Sequence, residues 1–478
     1  QFTPKSSIYF EIEGSGPKAD LQECVNKGRG DLRNFRYRGV DLEQMEADVE
    51  FQGPIQHYRN AKVRRAEGVG EVTHVFVDDH EKWVKLEGIH AKIDPVAVTS
   101  CFAPNVAEQI AKYRLPITTE VEMDGIIHYK DGSLNDFRVK FKHPTGTGRY
   151  ALWGEDMIIS APEGDLIFKG EDLKFDVRGQ LYGEPMNAKG TVDLNPNREG
   201  FSVNVKAGKF PYEVFGKEVP FDKLTADVSS KGKGSAFDIH SSLLGGSFSL
   251  KGEIGEGERL QPYSGELRLD GVSFQRFANI YSKNSDTEGD ITGHFRFVGR
   301  QDDWMALKGG GAAIIVNGNL YAVPILGPLT PLLGSVLPGQ IKGYNVAKEA
   351  NCTFEVADGY LVTKDFEALT SVFKIALAGK IDFIRDAVDL TAQVRVRGLP
   401  GLVFLPFSEL LEYRGTGSIQ DTDWKSNLMR VGGKKGERAP PSEENMEEAE
   451  RIAEGDRARV KVEEPKRPGS IFNRPGGR

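Results

Sequence analysis

The sequence predicts a mainly β protein built as a long repetitive antiparallel sheet with one apolar face, short helical inserts and a disordered C-terminal tail. Three observations predict it. Val388, Leu390, Ala392, Val394 and Val396 alternate with Asp389, Thr391, Gln393 and Arg395, the period of a strand with one shielded and one wet side. The pattern recurs at Phe201–Val205, Ser247–Lys251 and Ile291–Phe297. Many of the 55 glycines sit at strand ends, as in Asp131-Gly132, Asp270-Gly271 and Asp358-Gly359, and Asp-Gly supplies the positive φ that tight hairpins need.

Taken in order, the first strands run Ser7–Glu13, Gly39–Phe51, Lys62–Ala66, Val69–Val77 and Trp83–Ile93. Met45–Val49 and Leu224–Val228 echo each other, a sign of internal repetition. Asp94-Pro95 opens the first helix, with Asp as cap and Pro in the first turn. Its apolar positions Val96, Val98, Phe102, Val106, Ile110 and Tyr113 are divided by Pro104 into two pieces. Residues 116–272 read as strands and turns, with a second helix at Phe274–Ser282 after the strand Glu266–Asp270. The sheet continues over 286–318, and a proline-interrupted helical insert occupies 322–337. Further strands are expected at Asn351–Ala357, Tyr360–Leu369, Val372–Ala378, Lys380–Ile384 and Val388–Val396, then a short helix Leu402–Leu411 and a last strand Gly415–Ile419. From about Val431 the chain is charged and poor in large apolar residues, a composition that does not repay ordering; a transient helix is expected at Glu443–Arg459.

The chain of 478 residues is 39% hydrophobic, enough for a sizeable core, and carries a net charge of −8. That charge argues against nucleic acid, which a basic face would attract. Cys24, Cys101 and Cys352 lack metal-type spacing and are odd in number, so each reads as an inert thiol rather than part of a disulfide framework. No signal-type n-region or apolar h-region follows Gln1. The run Ala322–Leu337 is shorter than the roughly 20 residues of a spanning helix and is broken by Pro324, Pro328 and Pro331.

No phosphate-binding glycine loop, Gly-x-Ser-x-Gly elbow, His-Glu-x-x-His or Cys-x-x-Cys occurs, so no catalytic residue, cofactor or metal is assigned and the chain is expected not to be an enzyme. Asp78-Asp79-His80-Glu81 reads as a polar hairpin tip in preference to a metal site. Asp286, Glu288 and Asp290 read as a solvated turn in preference to a calcium site. Asp302-Asp303-Trp304 and Asp421-Thr422-Asp423-Trp424 read as acidic turns followed by an anchoring tryptophan.

Gly318-Asn319-Leu320-Tyr321-Ala322-Val323-Pro324-Ile325-Leu326-Gly327-Pro328-Leu329, then Phe354–Val362 and Phe373–Phe383, resemble the C-terminal region of AsmA-like proteins over about residues 285–420. These include the TamB- and YhdP-type bridge-like lipid transfer proteins of diderm bacteria. The resemblance implies a sheet curved into an open apolar groove, an inner-membrane anchor preceding the chain, a periplasmic or cell-envelope location, and a part in phospholipid transport and outer-membrane homeostasis.

The resulting expectation is a non-enzymatic protein that holds phospholipid acyl chains along a groove lined by Phe354, Val356, Phe373, Ile375, Leu377, Val388, Leu390, Ala392, Val394 and Val396. Ile325, Leu326, Leu329, Leu332, Leu333, Val336 and Leu337 would face the membrane or the groove mouth. The domains expected are 1–115 and 116–284 as β-repeat regions, 285–430 as the AsmA-like region and 431–478 as the tail. The alternatives are a closed β-solenoid scaffold or adhesin, and a carbohydrate-active enzyme on a β-repeat.

Overall fold

The computed structural model of the protein describes residues 2–5, 8–16, 24–101, 104–152, 155–195, 198, 200–214, 217–257, 260–281, 288–319, 326, 328–329, 332–333, 346–396, 411–419, 421–426 and 441–454. The fold is mainly β, antiparallel and not closed. It divides into two compact units, Gln1–Leu243 and Leu244–Arg478.

The first unit contains β1 (Phe2–Pro4), β2 (Ile8–Ser15), β3 (Val25–Tyr37), β4 (Val40–Gln52), β5 (Ile55–Arg65), β6 (Gly68–Asp78) and β7 (Trp83–Lys92). Helices α1 (Pro95–Ser100) and α2 (Pro104–Ala111) follow, then β8 (Glu120–His128), β9 (Asp136–Lys142), β10 (Thr147–Leu152), β11 (Glu155–Lys169) and β12 (Asp172–Leu181). β13 (Glu184–Asp193), β14 (Phe201–Val214), β15 (Lys217–Lys231) and β16 (Gly234–Leu243) complete it. Strands pair with sequence neighbours almost throughout. At the exceptions, β1 and β2 share β3, and β9 and β10 share β11.

Asp94 caps α1 by accepting from the Val96 amide at 2.9 Å, with Pro95 in the first turn, and the chain restarts as α2 at Pro104. The expected division at Pro104 therefore holds. Cys101 and Ala97 close over Phe35, Val40 and Leu42. Strand β3 was not expected, because Lys27, Arg29, Asp31 and Arg33 alternate with glycine or little that is apolar. Its glycines let a neighbour lie close instead.

The second unit contains β17 (Gly246–Ile254), β18 (Pro262–Ser273), α3 (Phe274–Tyr281), β19 (Asp290–Arg300), β20 (Asp303–Asn319), β21 (Val346–Ala357) and β22 (Tyr360–Thr370). It continues with β23 (Phe373–Asp382), β24 (Ala387–Val396), β25 (Leu411–Gly417), β26 (Thr422–Ser426) and α4 (Glu443–Glu454). Three expectations are corrected here. Val372–Ala378 and Lys380–Ile384 form the single strand β23, since Gly379 at φ +146 bends the chain without ending it. The last strand is β26, not Gly415–Ile419. Within the expected disordered tail, Glu443–Glu454 is a docked helix: Ala449 is fully buried, Lys308 Nζ donates to Asn445 and Glu448, and Asp358 accepts from Asn445 Nδ2 at 2.7 Å. The expected helix Leu402–Leu411 lies outside the described residues except for Leu411, which begins β25.

Trp424 is buried and anchors its turn, whereas Trp304 is 65% exposed and anchors nothing. Asp78 spends its carboxylate on the turn, accepting from the His80 and Glu81 amides at 3.0 and 2.9 Å, as a hairpin tip should. Among the described residues no group of three His, Cys, Asp or Glu is placed to hold a metal ion. Asp286 lies outside them.

Candidate functional site: an uncovered apolar face

Register decides which side chains share a face. Across the first unit, Ala61, Val72, Ile89, Met123, Val139, Leu166, Phe175, Gly190, Val203, Val228 and Phe237 stand side by side on successive strands. The adjacent row on the same face reads Val63, Gly70, Ala91, Val121, Phe141, Gly164, Val177, Ala188, Val205, Ala226 and Ile239. Neither row contains a polar residue. A third row, Val49, Tyr58, Val75, Leu86, Gly125, Phe137, Phe168, Leu173, Val192 and Phe201, continues the surface.

The row between the first two points the other way and is Lys62, Glu71, His90, Glu122, Lys140, Asp165, Asp176, Lys189, Asn204, Asp227 and Asp238. Its charges are matched along and across strands: Arg138 grips Asp165, and Asn204 Nδ2 donates to Asp227 at 2.7 Å. Asp176 accepts from Arg178 at 2.9 Å and Asn187 at 2.6 Å and pairs with Lys189 at 3.1 Å, which holds its carboxyl down at about 2. A carboxyl lowered in the folded state stabilises above its ordinary value and loses that contribution as pH falls through the folded one. Asp176→Asn should therefore melt below the parent near neutral pH, and the gap should close as pH falls from about 4 towards 2. Melting temperatures across that range check it.

Bulges keep the apolar face continuous where simple alternation would break it. At β5 and β7 the register slips by one residue, with Asn60 and Gly88 at positive φ, so Ala61 and Tyr58, and Ile89 and Leu86, face the same side. Glycines flatten the face further. A Cβ on Gly190 would sit 2.8 Å from the Phe175 ring, so that ring lies down over the glycine, and Phe137 stacks on Phe168 at 4.2 Å.

No second layer of sheet or helix is laid over β8, β9 and β11–β16 among the described residues. Val72, Ile89, Met123, Val139, Leu166, Phe175, Val203, Val228 and Phe237 are accordingly only half-buried. At about 4.8 Å per strand the uncovered stretch of each row runs on the order of 35 Å, and two rows alone make a patch on the order of 500 Å². The largest apolar patch on a typical soluble monomer is roughly 300–600 Å² and is often functional; the third row extends this one further.

The residues expected to line a groove do share one face. Ile375, Leu377 and Ile381 stand opposite Val394, Ala392 and Val388, Ala368 stands opposite Ile375, and Val356 reaches the same side through Leu361 and Ile381. Val396 takes the register position opposite Phe373, and its side chain lies outside the described residues. Their setting differs from expectation. Phe373, Ile375, Leu377, Val388, Leu390, Ala392 and Val394 are packed in a buried core with Leu326, Leu329 and Leu333 of the insert, and Leu332 sits at its margin. Val356 is buried as well, outside that cluster, while Phe354 is half-buried against Phe295. The insert leucines thus pack down on the sheet, and at β22–β25 the apolar face is covered instead of open. Ile325, Val336 and Leu337 lie outside the described residues.

The sequence signal for the open face was present in Phe201–Val205 but interrupted elsewhere by the bulges. Burial pushes the Cys101 and Cys352 thiols up, so neither is a ready nucleophile. Among the described residues no helix is long and apolar enough to cross a membrane. No protein-family profile, curated protein or solved structure matches the chain.

Proposed function

We propose that the protein is a non-enzymatic lipid-holding protein of a bacterial cell envelope, in which phospholipid acyl chains lie along the apolar face of the first unit and headgroups remain in water. The observation that carries this reading is the apolar face that runs in unbroken, polar-free rows across the first unit and is uncovered over β8, β9 and β11–β16. Each buried methylene gains about 0.8 kcal/mol, so ten of them supply on the order of 8 kcal/mol without one directed hydrogen bond. A surface that binds by area alone needs no catalytic group. The resemblance of residues 285–420 to AsmA-like proteins supports the same assignment, including a periplasmic location, an inner-membrane anchor and a part in lipid transport and outer-membrane homeostasis.

In this reading the second unit divides the labour. Its β22–β25 end is a packed core under the insert leucines, which fixes the sheet, while half-buried Phe248, Leu250, Leu267, Phe295 and Phe354 leave apolar surface on β17–β19 and β21. The test is mass spectrometry of the organic extract of protein purified without detergent. Phospholipid in stoichiometric amount is expected. An extract empty of lipid from protein that remains soluble and monomeric would leave the scaffold alternative standing.

A further inference from the structure

Strand β2 ends the sheet of the first unit, and among the described residues it pairs with β3 alone. It is a poor place to stop. Phe10 and Ile12 lie on the apolar face and are 49% and 44% exposed, and the ring of Phe10 lies over Gly30. Proteins usually blunt such an edge by shortness, charge or proline. The last strand of the second unit, β26, does so: it has 5 residues, and its Asp423 and Lys425 pair at 2.6 Å. β2 has 8 residues and no proline, and its two charges, Glu11 and Glu13, are of one sign.

The opposite face says what the missing neighbour should carry. Charge alternates strand by strand here: Glu11 stands opposite Arg29, Arg29 opposite Asp48, and Asp48 opposite Arg59. One step along, Glu13 stands opposite Lys27 and Lys27 opposite Glu50. The bases of β3 are already engaged inwards, Arg29 with Glu46 at 3.3 Å and Lys27 with Glu50 at 3.3 Å. Glu11 accepts from the Tyr9 hydroxyl of its own strand at 3.0 Å, and together with Glu13 it presents acid to the open side. Continuing both faces by one strand requires apolar residues beside Phe10 and Ile12 and basic residues beside Glu11 and Glu13.

We propose that the free edge of β2 takes up an extended segment of a partner polypeptide that alternates apolar with basic residues, adding a strand to the sheet. The added strand prolongs the apolar face and its basic residues complete the charge ladder. A second copy pairing through its own β2 does not fit that chemistry, because β2 offers Tyr9, Glu11, Glu13 and Ser15 on its polar side and no base.

The test uses the full chain and two short fluorescent peptides, one alternating valine with lysine and the other valine with glutamate. The lysine peptide should bind, more weakly at high salt, and the glutamate peptide should not. In the double variant Glu11→Lys, Glu13→Lys the preference should reverse, by about tenfold or more in each direction. If that variant folds poorly, Glu13→Gln supplies the second reading and should weaken the lysine peptide and flatten its salt dependence. Equal binding of both peptides, binding of neither, or concentration-dependent self-association through β2 that Phe10→Arg abolishes would each overturn the proposal.

Discussion

Leu390→Glu should unfold the second unit at neutral pH while leaving the first largely intact. Leu390 is 2% exposed and sits in the apolar cluster with Ile375, Val394, Leu329 and Leu333. Removing a buried leucine side chain costs about 2–5 kcal/mol, and an unpaired carboxylate adds several kcal/mol unless it takes up a proton. Against a typical stability of about 5–15 kcal/mol, the sum is enough to empty the native state of the unit. The sign with pH is informative. Burial raises the carboxyl's folded value above its unfolded one, so the penalty should be greatest above it and ease as pH falls and the group protonates. Leu390→Ala lacks that easing. Proteolysis mapping fragments on either side of Leu243/Leu244, run at neutral and mildly acidic pH, checks both statements. Had Leu390 lined an open groove, the glutamate would have reached water and the unit would have stayed folded.

That contrast marks how far the sequence was legible. The alternation of Val388–Val394 established a strand and its apolar side, because pleating leaves no other reading. Whether that side is covered depends on a segment more than fifty residues earlier in the chain, Leu326–Leu333, and periodicity has no access to such a contact. In β5–β7 the limit is local. The bulges at Asn60 and Gly88 reset the period within a single strand, so Ala61 and Tyr58 look like opposite faces on paper and are neighbours on one face in space. In β3, Gly28 and Gly30 replace the apolar residues that would have announced a strand, because the Glu11–Ile12 backbone of the next strand crowds Gly28 and the Phe10 ring lies over Gly30. The two tryptophans show the same boundary: Asp303-Trp304 and Asp423-Trp424 are alike in sequence, but Trp424 lies over Gly415 while Trp304 faces water.

Leu166→Glu should strip lipid from the protein with little change in its stability. Leu166 stands midway along the uncovered row, between Val139 and Phe175, and is half-buried. In the empty protein a glutamate there reaches water, so the cost should stay within about 1 kcal/mol, as for other accessible positions. With an acyl chain laid along the row, the same carboxylate loses its water and faces only methylenes, an expense of several kcal/mol that the lipid must meet from its own burial. Each methylene returns about 0.8 kcal/mol, so one charge cancels the contribution of roughly half a dozen carbons. Lipid lying across the middle of the face should be displaced, and the bound lipid per protein should fall by at least about half. Lys140→Glu, on the opposite face of the neighbouring strand, should change neither lipid content nor its composition, since acyl chains never meet that side. Phospholipid quantified per mole of protein, beside thermal unfolding of the same samples, separates the outcomes. Lipid content unaffected by Leu166→Glu would mean that the acyl chains lie elsewhere, and the open face of the first unit would lose its assigned role.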